Sequence, residues 1–262
     1  MESGVKLQSE VTGEGKPLVL VPGGLTGWKS WEPFVSYFSD NGRKVVRVQI
    51  LSVQYGIDNQ PLPADYSVKT ESFALKDTLD SLRLTSTVDI IAWSFGGFVS
   101  LDFALDNPGR IRTLTLIEPP AIWVLRNNNG LDLQTQKTIQ LLESFHGDIT
   151  DEMLSEFLEN VGFTHKGESP RDLPQWQQWL PYKRSLRNSP AVVHHDDNLE
   201  RLRNLKFPVM LIKGSGSASF LHRIIDELSL HLPDSRVTEM PGGHAPHIVS
   251  RDRFLKEWER FQ

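Results

Sequence analysis

Short apolar runs separated by longer amphipathic stretches set the pattern of this chain. Residues 16–24 (KPLVLVPGG) rise into a continuous apolar run and break on Pro-Gly-Gly. Residues 43–51 (RKVVRVQIL), 88–94 (VDIIAWS), 111–119 (IRTLTLIEP), 208–215 (PVMLIKGS) and 235–243 (SRVTEMPGG) repeat the theme. Runs this short, bounded by turn residues and rich in β-branched side chains, predict strands. Where they are continuous rather than alternating, they predict burial on both faces. Between them lie helix patterns. Residues 65–82 (DYSVKTESFALKDTLDSL) carry apolar positions at Phe73, Leu75, Leu79 and Leu82, with Ser67 as N-cap. Residues 95–107 (FGGFVSLDFALDN) predict a helix that stops before Pro108, and residues 251–262 (RDRFLKEWERFQ) predict the last one. Strands alternating with helices predict an α/β fold, a mostly parallel sheet flanked by helices on both faces.

The alternation fails once. Residues 121–190 carry three helix-like segments, LQTQKTIQLLESF, TDEMLSEFLENVGF and PQWQQWLPYKRSL, and no strand pattern. This predicts a helical insertion over 121–190 that divides a core domain made of residues 1–120 and 191–262. Open parallel sheets bind ligands beyond the C-terminal ends of their strands, so an insertion there is placed to act as a lid. The plainer alternative is a helical layer packed on the sheet.

Composition narrows the function classes. The chain has 262 residues, enough to bury a large core. A formal net charge of −5 argues against nucleic acid or an anionic membrane as partner. No apolar run approaches the roughly 18 residues of a membrane span. The polar start, MESGVKLQSEVTGEG, lacks the apolar core of a signal peptide, so a cytoplasmic location is expected. The absence of cysteine excludes thiol catalysis, disulfides and thiolate metal sites.

The candidate chemistry starts at AWSFG, residues 92–96. Small-x-Ser-x-Gly between a strand and a helix is the pattern of a nucleophile elbow. Such a turn projects the serine oxygen above the sheet edge, and it needs small residues two positions before and after. Here these are Ala92 and Gly96, while Gly97 lets the new helix approach a neighbouring strand. The Phe95 N–H opens the helix and can donate to a developing oxyanion. The competing reading of Ser94 is a helix N-cap. A serine hydroxyl needs a base, and near neutral pH the base is histidine. Of eight histidines, His244 follows the last strand in MPGGHAPHI, at the same sheet edge as Ser94. His247 is the rival, read as a surface or supporting residue. His194 and His195, in HHDDNLERL, invite a metal reading, but the run reads better as a solvated helix cap near Asp197 or Asn198.

Strand order, elbow, helical insertion and terminal histidine together resemble the α/β-hydrolase superfamily, over nearly the whole chain. Ala92 stands where that family more often has glycine. The resemblance implies the chain order Ser, acid, His, with the acid after the strand ending in LIKGS. No acid follows there; the first carboxylate is Asp226, inside the next helix. Some members, certain haloalkane dehalogenases among them, carry the acid one strand earlier, and there stands Glu118. Glu118 is therefore favoured as the acid, against a role at the hinge of the insertion. Asp196, Asp197, or a dyad without an acid remain the alternatives. The family's oxyanion loop follows the first core strand. It usually begins His-Gly; this chain has Pro22-Gly23, which makes Gly24 the second donor and Leu25 its neighbour. Where many relatives have Asp-x-Arg-Gly, this chain has Gln54-Tyr55-Gly56.

The resemblance implies a serine hydrolase acting through an acyl-enzyme, and a serine nucleophile excludes the aspartate-type opening of halides and epoxides. Trp28, Trp93, Leu25 and Trp123 are the expected pocket lining, with Leu125, Phe145, Trp176 and Trp179 adding apolar bulk, so a small or medium apolar substrate is expected. A carbon–carbon bond hydrolase or lactonase using the same residues is the alternative; it would want cations for a substrate carboxylate, with Arg126, Lys183, Arg184 and Arg187 as candidates. A binding member of the fold without catalysis is the third reading. No cofactor and no metal are expected, the partner is a small-molecule substrate, and a homo-oligomer is left open.

Overall fold

The computed structural model describes residues 4–127, 131–164 and 167–262. The first three residues of the polar N-terminal stretch, and 128–130 and 165–166 of the predicted insertion, lie outside the described residues.

The strands are β1 Gln8–Thr12, β2 Lys16–Val21, β3 Arg43–Gln49, β4 Val88–Trp93, β5 Ile111–Ile117, β6 Val209–Gly214 and β7 Ser235–Met240. They form a single sheet in the order β1-β3-β2-β4-β5-β6-β7. β1 pairs antiparallel with β3; every other pairing is parallel. The six predicted strands are therefore present, and β1 is an addition. QSEVT is exposed or half-buried along its whole length, so no apolar signal marked it. It forms because β3 offers an open edge to pair with.

The helices of the core are α1 Glu32–Asp40, α2 Leu51–Ile57, α3 Val68–Ser81 and α4 Ser94–Asp106. Between β5 and β6 come α5 Trp123–Asn127, α6 Leu133–Glu143, α7 Asp151–Val161, α8 Trp176–Trp179, a 3-10 stretch Leu180–Asn188, α9 Ser189–His194 and α10 Leu199–Leu202. After β6 lie α11 Ser219–His231, α12 Pro246–Val249 and α13 Arg251–Phe261. Ser67 caps α3 as expected, in a reciprocal box with Thr70. The third predicted helix of the insertion breaks after one α-turn: Pro181 lacks an N–H, and the chain continues as a 3-10 helix.

From β2 to β6 both sheet faces are buried, which is why these strands read as continuous apolar runs. Alternate residues divide between two cores. Val19, Val46, Ile90, Leu114 and Leu211 pack on one side with Leu75, Leu79, Phe98 and Ile224 of α3, α4 and α11. Leu20, Val45, Ile91, Ile117 and Ile212 pack on the other with Phe34, Phe38, Phe254 and Trp258 of α1 and α13. The sheet is thus a rigid platform, and the C-terminal tips of β4, β5 and β6 lie side by side in register. Among the described residues, no helix is long and apolar enough to cross a membrane.

Candidate active site

β4 runs into α4 with no residue between them: Trp93 ends the strand and Ser94 begins the helix. Ser94 turns the chain with φ +53, a left-handed conformation that costs a non-glycine residue on the order of 1–3 kcal/mol. Two glycines make the turn possible. A Cβ on Gly96 would sit 2.2 Å from the Pro22 carbonyl oxygen, and one on Gly97 would press against Pro119 at 3.3 Å. The close approach at Gly96 is to the loop after β2, so the same glycine that serves the elbow also brings the Pro22-Gly23-Gly24 loop beside Ser94. One strand over, Glu118 leaves β5 with φ +45.

The Ser94 hydroxyl lies 2.8 Å from His244 Nε2, and His244 Nδ1 lies 2.7 Å from Glu118 Oε2. A carboxylate only accepts, so Nδ1 carries the proton and Nε2 is left to accept from the hydroxyl. Glu118 is fully buried. Its other oxygen accepts the Gly214 N–H at 2.7 Å and the Ser217 hydroxyl. His244 is anchored through its backbone as well: its carbonyl accepts from Trp93 Nε1 at 2.7 Å, and its N–H donates to the Gly162 carbonyl at 3.2 Å. Asp196 and Asp197 take no part. Asp197 accepts from Arg201 at 2.6 Å and Asp196 sits near Asn127.

His247 is neither at the surface nor bonded to His244. It is fully buried among Trp31, Phe34, Trp93 and Phe254, and both ring nitrogens lack a hydrogen-bond partner among the described residues. Burial, and then the charge that His244 would carry, push its pKa down to about 3, so the ring is neutral.

Above Ser94 lies a narrow cavity of about 50 Å³. Leu25, Trp93, Phe95, Phe157, Phe163 and Leu186 are among its apolar walls, and among the described residues its lining holds no Asp, Glu, Lys or Arg. Gly24 lines it too, and Ser185 of the insertion donates to the Gly24 carbonyl at 2.9 Å. The Phe95 N–H belongs to the first turn of α4, where helix amides have no intrahelical partner. Two expected wall residues do not line this cavity. Trp123 is fully buried in the core, because α5 packs against α11. Trp28 sits in the turn after the Gly24 loop, its N–H bonded to Gln49 Oε1 at 3.1 Å. Tyr55 packs against the core, and Trp176 stacks beneath Arg171.

The solvated cap expected at His194 and His195 is half right. Asn198 caps α10 and His194 is exposed, but His195 is buried with Nε2 3.4 Å from Asp102. Asp102, His195 and Asp197 each bring one ligand-type atom within 4.8 Å of the others. Lys69, 2.9 Å from Asp102, and Arg201, 2.6 Å from Asp197, already supply positive charge there. Three of the four candidate cations of the insertion are likewise engaged away from the cavity, and Arg184 is not among its lining residues. Arg126 donates to the carbonyls of Val193 and His195, Lys183 pairs with Asp151 at 2.6 Å, and Arg187 donates to the Gly147 carbonyl at 2.6 Å. Ser217, Ser185 and Phe163 are the site residues that sequence reasoning missed. Only Ser217 left a trace, as a polar Gly-Ser-Gly-Ser stretch where the resemblance implied an acid.

Comparison with known proteins places this arrangement. The profile of the alpha/beta hydrolase fold matches residues 16–250. The chain belongs to that family. Within it, the chain is 24% identical to a pimeloyl-[acyl-carrier protein] methyl ester esterase of Nitrosomonas europaea, over 94% of this chain and 95% of the other. It is 33% identical to a 2-hydroxy-6-oxo-2,4-heptadienoate hydrolase of Pseudomonas putida, over 45% of this chain and 42% of the other. An esterase from Exiguobacterium antarcticum superimposes with a TM-score of 0.76 at 18% identity, covering 97% of this chain and 94% of that one. That last likeness shows the fold alone. The Nitrosomonas europaea and Pseudomonas putida relatives are an esterase and a hydrolase.

Proposed function

We propose that this chain is a serine hydrolase cleaving apolar carboxylic esters of small or medium size through an acyl-enzyme. The observation that carries the reading is the Ser94–His244–Glu118 relay, with contacts of 2.8 and 2.7 Å, opening into a cavity without charged carboxylate or cationic side chains.

In this reading His244 Nε2 takes the Ser94 proton as the oxygen attacks the ester carbonyl. The carbonyl π pair moves to oxygen, and the Gly24 and Phe95 N–H groups face the oxyanion. Collapse expels the alkoxide, which takes the proton from His244 and leaves as the alcohol. Water then attacks the acyl-enzyme with His244 again as base, releasing the acid and restoring Ser94. Glu118 holds the imidazole in the Nδ1–H tautomer and stabilises the imidazolium. The insertion over 121–190 acts as the cap that shields these steps from bulk water.

The relatives support both ester and carbon–carbon bond hydrolysis. The apolar lining favours the ester. A ring-cleavage product carries a carboxylate; Arg126, Lys183 and Arg187 are bonded elsewhere, and Arg184 is not among the lining residues of the cavity. The test is covalent labelling by a fluorophosphonate, located by peptide mass, together with turnover of p-nitrophenyl acetate. Labelling at Ser94 and loss of turnover in Ser94→Ala are expected; equal turnover of the two proteins would leave the fold as a binding module.

A further inference from the structure

Two apolar spaces meet at Phe163. One is the cavity over Ser94. The other is an open groove of about 780 Å³ whose walls include Trp179, Tyr182, Ile248 and Val249. Trp93 and Phe163 line both. The Phe163 ring stands edge-on to His244, with centroids 5.4 Å apart, and edge-on to Trp179 at 5.3 Å. Its backbone is fixed. It follows Gly162, which closes α7 at φ +85, where a Cβ would lie 2.8 Å from Ser217 Cα, and the Gly162 carbonyl holds the His244 N–H. The ring is an apolar side chain with no polar tether, so it is the part of this wall that a ligand can displace.

The groove has apolar side chains that the fold does not use. Ile248 is 42% exposed and Val249 67% exposed, side by side on the short helix that begins two residues after His244. Contiguous exposed apolar surface beside a site signals a ligand. Its direction relative to the chemistry says which part of the ligand. The group that protonates the leaving oxygen is His244, so that oxygen must lie at Nε2. Phe163 packs on that imidazole and lines both spaces, so the groove is the apolar space that adjoins the leaving oxygen's site past Phe163.

We propose that Phe163 is a gate between an acyl chamber and an alcohol groove, and that the substrate is an ester with two apolar arms. The acyl arm occupies the cavity over Ser94. The alcohol arm passes the displaced Phe163 ring and lies along Trp179, Ile248 and Val249. The inference rests on the serine-hydrolase reading and adds the alcohol as a specificity determinant.

A series of alkyl butyrates from ethyl to octyl, titrated for released acid, tests it. For the wild type, kcat/KM is expected to rise along the series by roughly thirtyfold, as partial burial of the added methylenes dictates. Val249→Asp, on an exposed position, is expected to cut the octyl-to-ethyl ratio of kcat/KM about tenfold. Phe163→Ala, which opens the gate permanently, is expected to raise the ratio of cyclohexyl to ethyl butyrate. A ratio that does not change with alcohol length, or that neither variant alters, overturns the gate while ethyl butyrate hydrolysis and Ser94 labelling leave the hydrolase reading standing. Failure to hydrolyse every ester, with no label on Ser94, overturns both.

Discussion

The tips of β4 and β5 carry out the same backbone move by different means. Ser94 and Glu118 both leave the sheet in left-handed conformations, φ +53 and +45, from strands paired so that Trp93 faces Ile117. At the β4 tip the turn is made by its own neighbours: Gly96 and Gly97 clear the contacts that a side chain would obstruct. At the β5 tip no glycine helps. Pro119 and Pro120 follow, and Glu118 is held by donors from elsewhere in the chain, the Gly214 N–H and the Ser217 hydroxyl. Strain at one tip is permitted locally; at the other it is offset by hydrogen bonds to a buried carboxylate. A local device can be read from a few adjacent residues, and a distributed one cannot.

The two tips differ in what their loss should cost. Ser94→Ala removes the proposed nucleophile and is expected to lower ester turnover by about 10⁴–10⁶-fold. Glu118→Gln keeps the shape but replaces an acceptor with an amide that can donate to His244, which favours the wrong tautomer. It is expected to cost about 10³–10⁴-fold in kcat, measured on p-nitrophenyl acetate. A loss below tenfold would break the comparison, because the β5 tip would then be a structural feature of the hinge and the relay a dyad.

The same division explains what could be seen before the fold was known. Strands β2 to β6 announced themselves because both faces are buried, and the elbow because its glycines sit beside Ser94. His244 was legible from its place after the last strand. β1 was not, because QSEVT is an exposed edge that exists through pairing with β3. Trp123 was misplaced because composition shows that tryptophans are present, but not which way a short helix turns them. Ser217 was invisible as a partner: serine after β6 looked like a missing acid until Glu118, 99 residues earlier, was seen bonded to it.

Ser217 sharpens the comparison further. If the β5 tip depends on distant donors, Ser217→Ala should loosen Glu118 without removing it. The bond is to a charged, buried group, and such bonds contribute about 1.5–3 kcal/mol, part of which reaches the transition state. The expected effect is roughly a tenfold loss of kcat with little change in KM. Ser217→Thr keeps the hydroxyl and should restore most of the rate. A loss confined to thermal stability would instead make Ser217 a loop anchor.

The smallest expected effect concerns the β4 tip from beneath. His247 packs against Trp93 with ring centroids 5.0 Å apart, three residues from His244, and the sequence HAPHI alone does not separate the two. Their surroundings do: His244 has a partner at each ring nitrogen, and His247 has none among the described residues. With its folded pKa near 3 and an unfolded value of about 6.5, His247 binds its proton in the unfolded chain first. Stability is therefore fully present above about pH 6.5 and is lost as pH falls toward 3, by at most about 1.4 kcal/mol per pH unit from this group. His247→Phe preserves an aromatic ring in an aromatic nest and removes the titration. Urea midpoints measured from pH 7.5 to 4.5 should fall less steeply for the variant than for the wild type, while other groups such as the buried Glu71, whose carboxyl burial pushes upward, cancel in the difference. Parallel lines would mean that His247 finds water or a partner when protonated, and that the floor under Trp93 is less dry than its packing indicates.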